Sequence, residues 1–358
     1  MPVVDAQSRL APWPQRVLFL IEGPGNGGDF AASMRAGLEA HGCQVITHNG
    51  VVDWPDDIDM VIGYGPFTLT EGNLLPAAAK LATFPNTRRP YFVWWLTEGI
   101  PSPKTPSWVV RLIADLRVRV DGILMAVNTP ALRWLPPLYA GHRLRILGQL
   151  RWVHTHALLD LLVVTSPQRA AFLERYGFCP LVAPLGYDPI YGSDLNLERT
   201  IDVAFLGNLR SPRRQKLLPP LIAELEQRGI RVELCDNLYG QARQEFLNRS
   251  KILLNILRSP QDFVGQRYLL GAANKCLVIS EPVQECSPFV PDRHLVIAPH
   301  AHLADTIVHY LSHPTERLAI TEQAYSFVTQ ELTIENQVGA ILDRLRSSAH
   351  AGHKGESR

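Results

Sequence analysis

The strongest candidate for ligand chemistry is a basic loop, GNLRSPRRQK, at residues 207–216. It follows a β-rich apolar run and opens a segment with helical spacing, so Gly207 and Asn208 lie at a strand-to-helix turn. Four cations follow within seven residues, at Arg210, Arg213, Arg214 and Lys216. Positive charge at a helix start opposes the helix dipole unless an anion lies over the free N–H groups. Because arginine binds phosphate oxygens through two hydrogen bonds, the loop predicts a diphosphate site; a solvated basic turn is the alternative.

A glycine-rich loop, GPGNGGD at residues 23–29, is the second candidate. Gly23, Gly25 and Gly28 give the GxGxxG spacing of dinucleotide-binding loops. That fingerprint needs a carboxylate near the end of the next strand, and none occurs before Asp53, so NAD binding is disfavoured. The loop instead predicts the close approach of an acceptor or a sugar phosphate, with a tight turn as the alternative. The residues predicted to face this ligand are Gly25, Asn26, Gly27 and Gly28.

Two carboxylates are candidate general bases. Glu98 follows the apolar run YFVWWL at its carboxyl end, and Asp29 closes the glycine-rich loop. Both positions are predicted to face a ligand, because ligands of parallel sheets bind beyond the carboxyl ends of strands. For Glu98, a satisfied helix cap or a surface position is slightly favoured over a role as base or acceptor ligand.

A third candidate is the stretch SPQDFVGQRYLLGAANKCLVISEP at residues 259–282. A polar loop, a helical turn, a β-rich run and a proline follow one another there. The pattern predicts that a base or ribose lies against a helix starting near Gln266. The residues predicted to contact that ligand, or to cap the helix, are Ser259, Asp262, Phe263, Gly265 and Arg267.

The elements that position these residues are short apolar strands alternating with helices. Strands so apolar predict parallel sheets with helices on both faces, an α/β architecture. This alternation of strands and helices is interrupted by a polar stretch and then resumes, which predicts two doubly wound, Rossmann-like domains facing a cleft. The predicted divisions are a flexible leader at 1–15, a first domain at 16–190, a linker at 191–200, a second domain at 201–330, a C-terminal helix at 331–348 and a flexible tail at 349–358.

Composition excludes several classes of protein. A chain of 358 residues that is 46% hydrophobic and 19% charged is not disordered, and a net charge of +1 gives no attraction to nucleic acid. The five cysteines are scattered without a CxxC pair, which favours reduced thiols over disulfides or zinc. No signal-peptide core or membrane-length apolar run occurs, so the sequence predicts a soluble cytoplasmic protein.

Residues 133–156 interleave arginines with Trp134, Tyr139 and Trp152. Such a pattern occurs on membrane-surface or acceptor-binding faces, but amphipathic packing with the arginine stems along the surface is the favoured interpretation. At most a peripheral membrane contact is therefore expected. His154 and His156 lack a metal-ligand spacing, and no metal is predicted.

The second half of the chain resembles the nucleotide-binding domain of GT-B glycosyltransferases. It is most similar to the spore-maturation-protein-like glycosyltransferases that carry a "glycosyl transferases group 1" domain. The resembling segments are IDVAFLGNLRSPRR, NRSKILLNILRSPQDFVGQRYLLGAANKCLVISEP and HLVIAP, within about residues 201–328. YFVWWLTEG and LLVVTSPQRAAFLERYGFCPLVAPLGYDP extend a looser resemblance into the first half.

The resemblance implies a GT-B fold with an acceptor domain first and a nucleotide-sugar domain second. It implies a phosphate-binding cation at Arg213 or Arg214, no bound metal, and no cofactor beyond the nucleotide-sugar donor. The acceptor, whether small molecule, glycan, lipid or protein, is not specified. Two positions depart from the family pattern: the Glu that grips the donor ribose falls on Leu270, and the Gly that closes the helix falls on Lys275.

The expected function is transfer of a sugar from a nucleoside-diphosphate sugar to an acceptor. Because leucine accepts no hydrogen bond from a ribose hydroxyl, a degenerate domain that binds nucleotide or acts as a scaffold is the first alternative. A nucleotide-sugar epimerase is the second.

Overall fold

The computed structural model describes residues 14–21, 28–51, 53–65, 74–85, 88–97, 106–127, 142–258, 265–283 and 286–353. Within these ranges the chain forms two sheets in which all strand pairs are parallel. The predicted α/β class with two doubly wound sheets is therefore confirmed.

The first sheet has six strands in the order β2-β1-β3-β4-β5-β6. Its strands are β1 (Arg16–Ile21), β2 (Gln44–Asn49), β3 (Met60–Gly65), β4 (Tyr91–Leu96), β5 (Leu161–Val164) and β6 (Leu181–Val182). Its helices are α1 (Gly28–Ala40), α2 (Leu74–Leu81), α3 (Ser107–Val127), α4 (His142–Thr155) and α5 (Pro167–Glu174). Successive residues of β1 serve opposite faces: Leu18 packs into the cluster that contains α2, α4 and α5, and Phe19 into the cluster that contains α1.

The second sheet has five strands in the order β11-β10-β9-β7-β8. Its strands are β7 (Ile201–Leu206), β8 (Val232–Cys235), β9 (Ser250–Asn255), β10 (Leu277–Ser280) and β11 (Val296–Ile297). The helices that follow them are α6 (Pro212–Gln227), α7 (Gly240–Asn248), α8 (Gly265–Ala273), α9 (Leu303–Ser312) and α10 (Pro314–Ser326). Phe205 of β7 packs toward α6 and α9, and Leu206 packs toward α7 and α8.

The last helix, α11 (Ile334–His353), returns to the first sheet after a π-helical turn at Phe327–Glu331. Val338, Ile341 and Leu342 of α11 are buried in the same cluster as Met34 and Leu38 of α1. Tyr187, in the segment after β6, is hydrogen-bonded to the residues at the start of α11. Its amide donates to Leu332 O (2.7 Å), and its carbonyl accepts from the Ile334 amide (2.8 Å). The C-terminal helix is thus part of the first domain's core.

In the described ranges, no helix is both long enough and apolar enough to cross a membrane.

Candidate functional site

A cavity of about 390 Å³ opens at the carboxyl ends of β7, β8 and β9, beside the start of α8. This is where parallel sheets bind their ligands. Its lining residues are Leu206, Gly207, Asn208, Arg214, Asp236, Asn237, Leu238, Tyr239, Arg243, Leu257, Arg258, Gln266, Arg267 and Leu270. Among the described lining residues, four arginines thus face one carboxylate, Asp236, and the cavity suits an anionic ligand.

Gly207 makes the turn that opens the cavity. Its φ of +140° is a conformation that side-chain-bearing residues rarely adopt. A Cβ at this position would lie 2.6 Å from Nη2 of Arg267, so the glycine also leaves room for that guanidinium. A glycine is therefore required at position 207 both by the backbone conformation and by the position of the Arg267 side chain.

Arg214 and Arg267 lie together at the floor of the cavity. Their guanidinium carbons are 5.2 and 5.6 Å from the centroid of the Phe205 ring. Arg214 is 1% exposed and donates to Ile256 O (2.9 Å) and Asn208 O (2.8 Å). Arg267 donates to Leu206 O (3.1 Å) and to Oδ1 of Asn255 (2.9 Å). These bonds fix both arginines on the ends of β7 and β9.

Arg213 takes a different direction from its neighbour Arg214. It forms a bidentate ion pair with Glu281, whose side chain is 2% exposed, and donates to Leu257 O (3.0 Å). His300 Nε2 lies 2.6 Å from the same carboxylate. Burial alone would raise the pKa of Glu281, but the hydrogen bonds from Arg213 and from the Leu257 amide lower it. Arg213 is thus the partner of a buried carboxylate and is not part of the cavity lining.

The remaining residues of the basic loop divide between the cavity and solvent. Asn208 lines the cavity, and its Oδ1 accepts from the Arg210 amide at 2.7 Å, which closes the turn. The Arg210 and Lys216 side chains are exposed and lie outside the cavity lining.

Leu270 and Lys275, where the sequence departs from the family pattern, have different environments. Leu270 is 5% exposed, lines the cavity and packs in the core of the second domain. Lys275 ends α8 with a φ of +50°, the left-handed conformation in which a glycine is favoured. Its ammonium pairs with Glu322 (2.8 Å) and Asp194 (3.1 Å). Burial alone would lower the pKa of Lys275, but these two carboxylates raise it.

Asp29 connects the two domains. It lies in the first turn of α1, and its carboxylate pairs with the guanidinium of Arg243 on α7. The Arg243 side chain is 3% exposed, lines the cavity and also donates to Ile190 O (2.8 Å). Asp29 therefore fixes the position of Arg243, one of the arginines of the cavity. The neighbouring Gly28 has a φ of +71°, in the left-handed region that favours glycine.

Several predicted site residues lie outside the described ranges: Gly25, Asn26, Gly27, Glu98, Ser259, Asp262 and Phe263. Gly265 begins α8 and is buried. The structure thus brings Gly207, Asn208, Arg214 and Arg267 together, and separates Arg210, Arg213 and Lys216 from them.

Asp236 to Tyr239, Arg243 and Arg258 are among the lining residues that have no counterpart among the predicted ones. Asp236 to Tyr239 follow β8 at its carboxyl end, a signal that the rule for parallel sheets offers in the sequence. Arg243 lies inside a helix, and nothing in its sequence neighbourhood distinguishes it. Its contact with Asp29 joins residues 214 positions apart.

The arrangement of both domains matches known structures over nearly the whole chain. HepE of Anabaena, solved in complex with UDP, aligns with a TM-score of 0.60 at 13% identity, covering 93% of this chain and 100% of that one. The chain has the GT-B fold. The sucrose-phosphate synthase of Thermosynechococcus elongatus gives the same TM-score, identity and coverage.

Further comparisons agree with this GT-B assignment. HepE in complex with UDP-glucose aligns with a TM-score of 0.57 at 12% identity, covering 93% of this chain and 99% of that one. Residues 198–343 match the family model for glycosyl transferase-like proteins, which confirms the resemblance of the second half. No curated protein sequence matches the chain significantly.

No group of three His, Cys, Asp or Glu side chains among the described residues could hold a metal ion. The absence of a metal and of a further cofactor stays a prediction.

Proposed function

We propose that this protein is a glycosyltransferase that binds a nucleoside-diphosphate sugar in the cavity of the second domain. The observation that carries the proposal is the charge of the cavity at the carboxyl ends of three parallel strands, where the described part of the lining has four arginines and one carboxylate. The start of α8 adds its dipole. A volume of about 390 Å³ falls within the range of about 300–1,000 Å³ that is usual for small-ligand sites. The binding of UDP and UDP-glucose by the similarly folded HepE supports a donor of this class.

The diphosphate would lie against Arg267 and the Gly207 turn. During transfer, the bond between the anomeric carbon and the diphosphate oxygen breaks, and its electron pair leaves with the diphosphate. An acceptor hydroxyl oxygen bonds to the anomeric carbon and gives its proton to a base. Fixed positive charge from Arg214 and Arg267 stabilises the leaving diphosphate without reorganisation at the moment of reaction.

The acceptor would approach from the first domain, across Gly28 and the glycine-rich loop before it. Glu98 and Asp29 are the two carboxylates proposed as base. Because Asp29 pairs with Arg243, we assign Asp29 first to holding that arginine, and Glu98 becomes the leading candidate base.

Calorimetry with UDP, GDP and dTDP tests the donor site directly. At least one of them is expected to bind with submillimolar affinity. Arg267→Ala should weaken that binding about tenfold or more, because a hydrogen bond to a charged group contributes about 1.5–3 kcal/mol. Arg210→Ala is the matched control, since its exposed side chain lies outside the cavity lining. Absence of binding by all three nucleotides, or equal losses in the two variants, would contradict the proposal.

A non-catalytic nucleotide-binding role is the second candidate, favoured by Leu270 in the cavity wall. Leucine offers no acceptor to a ribose hydroxyl at that point. Incubation with UDP-, GDP- and dTDP-sugars, with and without candidate acceptors, separates the two functions. Release of nucleoside diphosphate by the wild type but not by Arg267→Ala supports the enzyme. Binding of nucleotide with no turnover of any donor supports the second candidate.

A further inference from the structure

Helix α3 carries three large apolar side chains on a face that points to solvent. Trp108, Leu112 and Leu116 are 69%, 63% and 59% exposed. On the opposite face, the smaller Val110 and Ala114 are fully buried in the core of the first domain. The packing of α3 thus buries Val110 and Ala114 and leaves these three large side chains uncovered by the described chain.

The three exposed side chains form one continuous stripe. Residues four apart lie on the same face of a helix, and eight residues at about 1.5 Å each give a stripe about 12 Å long. Single exposed apolar residues are common and need no explanation, whereas a contiguous apolar patch marks an interaction site. Elsewhere in the described chain, exposed leucines such as Leu234 and Leu318 lie on separate elements.

Cations surround this stripe. Arg111 and Arg119 are exposed on α3, and Arg175 is exposed at the end of α5. Arg111 donates to Arg175 O (2.8 Å), and its guanidinium lies 5.4 Å from the centroid of the Tyr176 ring. The contact with the Tyr176 ring therefore keeps the positively charged Arg111 guanidinium at this surface.

The nearby carboxylates do not cancel that charge. Asp115 on α3 pairs with Arg151 at 2.7 Å, and Glu174 is exposed beside Arg175. Counting only side chains that the structure describes, four arginines therefore face two carboxylates at this surface. The surface combines an apolar stripe with net positive charge.

We propose that α3 docks the protein onto the surface of a bilayer rich in anionic phospholipid. Trp108, Leu112 and Leu116 would enter the boundary between headgroups and acyl chains, where tryptophan is favoured. Arg111, Arg119 and Arg175 would lie at the level of the lipid phosphates. This docking would hold the protein at the bilayer surface through one face of α3.

Co-sedimentation of the full chain with vesicles tests this docking. Wild type is expected to bind vesicles of phosphatidylcholine with phosphatidylglycerol, and to bind pure phosphatidylcholine at least tenfold more weakly. The variant Trp108→Ser/Leu112→Ser/Leu116→Ser should lose binding at least tenfold. The variant Arg119→Glu/Arg175→Glu should weaken binding to the anionic vesicles by about fivefold or more for each arginine.

Leu234→Ser/Leu318→Ser is the matched control, because it removes exposed apolar side chains from other elements and should bind as wild type does. Circular dichroism melting of each variant establishes that its fold is retained. Equal vesicle binding by wild type and the triple serine variant would overturn the proposal, as would wild type remaining in the supernatant with both vesicles. Sedimentation velocity tests whether a second copy of the chain covers the stripe instead. If the wild type is a dimer, the triple serine variant is a monomer and neither binds vesicles, the stripe is a dimer interface and the lipid proposal is overturned. None of these readouts depends on nucleotide binding.

Discussion

Gly207 shows how one residue determines the shape of the candidate donor site. Its positive φ turns the chain away from β7, and the absence of a side chain leaves room for the Nη2 atom of Arg267. Experiment can separate the two requirements, because Gly229 of the second domain has a positive φ but no atom close to a built Cβ.

We expect Gly207→Ala to weaken nucleoside-diphosphate binding about tenfold, since displacing Arg267 removes one charge-assisted hydrogen bond. The strained φ should also lower the free energy of unfolding by about 1 kcal/mol. Calorimetry and chemical denaturation measure the two effects. Gly229→Ala is the matched control: Gly229 has a φ of +76° with no atom within 4 Å of a built Cβ. It should lose similar stability and bind nucleotide normally. Equal binding by the two variants would show that the space beside Gly207 has no role.

Arg213 and Arg214 show why the sequence predicted this site only in part. The cluster of cations after a strand predicted a basic loop correctly. Adjacent residues on a helix point about 100° apart, however, so one arginine lies at the cavity and the other pairs with Glu281. Which of the two takes which direction depends on Glu281, 68 positions further along the chain. Local sequence holds no information on that choice.

At the scale of elements, the Arg213–Glu281 pair fastens α6 to the end of β10. Arg213→Ala would leave the buried Glu281 carboxylate without its arginine and with only His300 beside it, at a cost of about 3 kcal/mol. The double variant Arg213→Ala/Glu281→Gln should lose less than the sum of the two single variants, because neither charge is left alone. Chemical denaturation measures this cycle. Arg228→Ala, which removes two exposed ion pairs at the end of the same helix, should change stability little. Additive losses would mean that the two side chains do not interact.

The same pair makes stability depend on pH. The pKa of Glu281 is lowered in the folded state, so its contribution is fully present above the unfolded value of about 4.3. The contribution is lost as the pH falls through the lowered folded value. We therefore expect the wild type to lose more stability than Glu281→Gln between neutral pH and acid pH, measured by denaturation at each pH. Parallel pH profiles for the two proteins would contradict this assignment.

Lys275 lies just beyond the end of α8 in the left-handed backbone conformation, which is less favourable for a lysine than for a glycine. Its pairs with Glu322 and Asp194 offset that cost. Lys275→Ala keeps the strained φ and loses the pairs, whereas Lys275→Gly loses the pairs and relieves the strain. Thermal or chemical denaturation should therefore show the glycine variant more stable than the alanine variant by about 0.5–1 kcal/mol. The opposite order would show that the helix end adapts to any residue.

At the scale of the whole molecule, the architecture was predictable because its signals are local. Strands such as YFVWWL and KILLNIL are apolar on both faces and bounded by helices, which fixes a parallel α/β fold. The junction between the domains was not predictable in this way. Asp29 was singled out as a candidate base beside a glycine-rich loop, and its partner Arg243 carries no sequence signal. Only the packing of both α1 and α7 on the turn at Pro189–Tyr191 brings the two together.

The Asp29–Arg243 pair leads to a prediction that separates a base from a counterion. If Asp29 holds Arg243 at the cavity, Asp29→Asn should weaken nucleoside-diphosphate binding in the absence of any acceptor. A general base would leave that affinity unchanged and reduce only turnover. Arg243→Gln should weaken binding to a similar degree, and the double variant should be no worse than either single one, because both changes remove the same interaction. Glu39→Gln is the control on the same helix, since its exposed pair with Arg35 lies away from the cavity lining. Normal nucleotide affinity in Asp29→Asn, with turnover lost, would return Asp29 to the role of base. Weakened affinity would instead mean that the first domain helps to hold the donor through Arg243, so that donor binding and the arrangement of the two domains depend on each other.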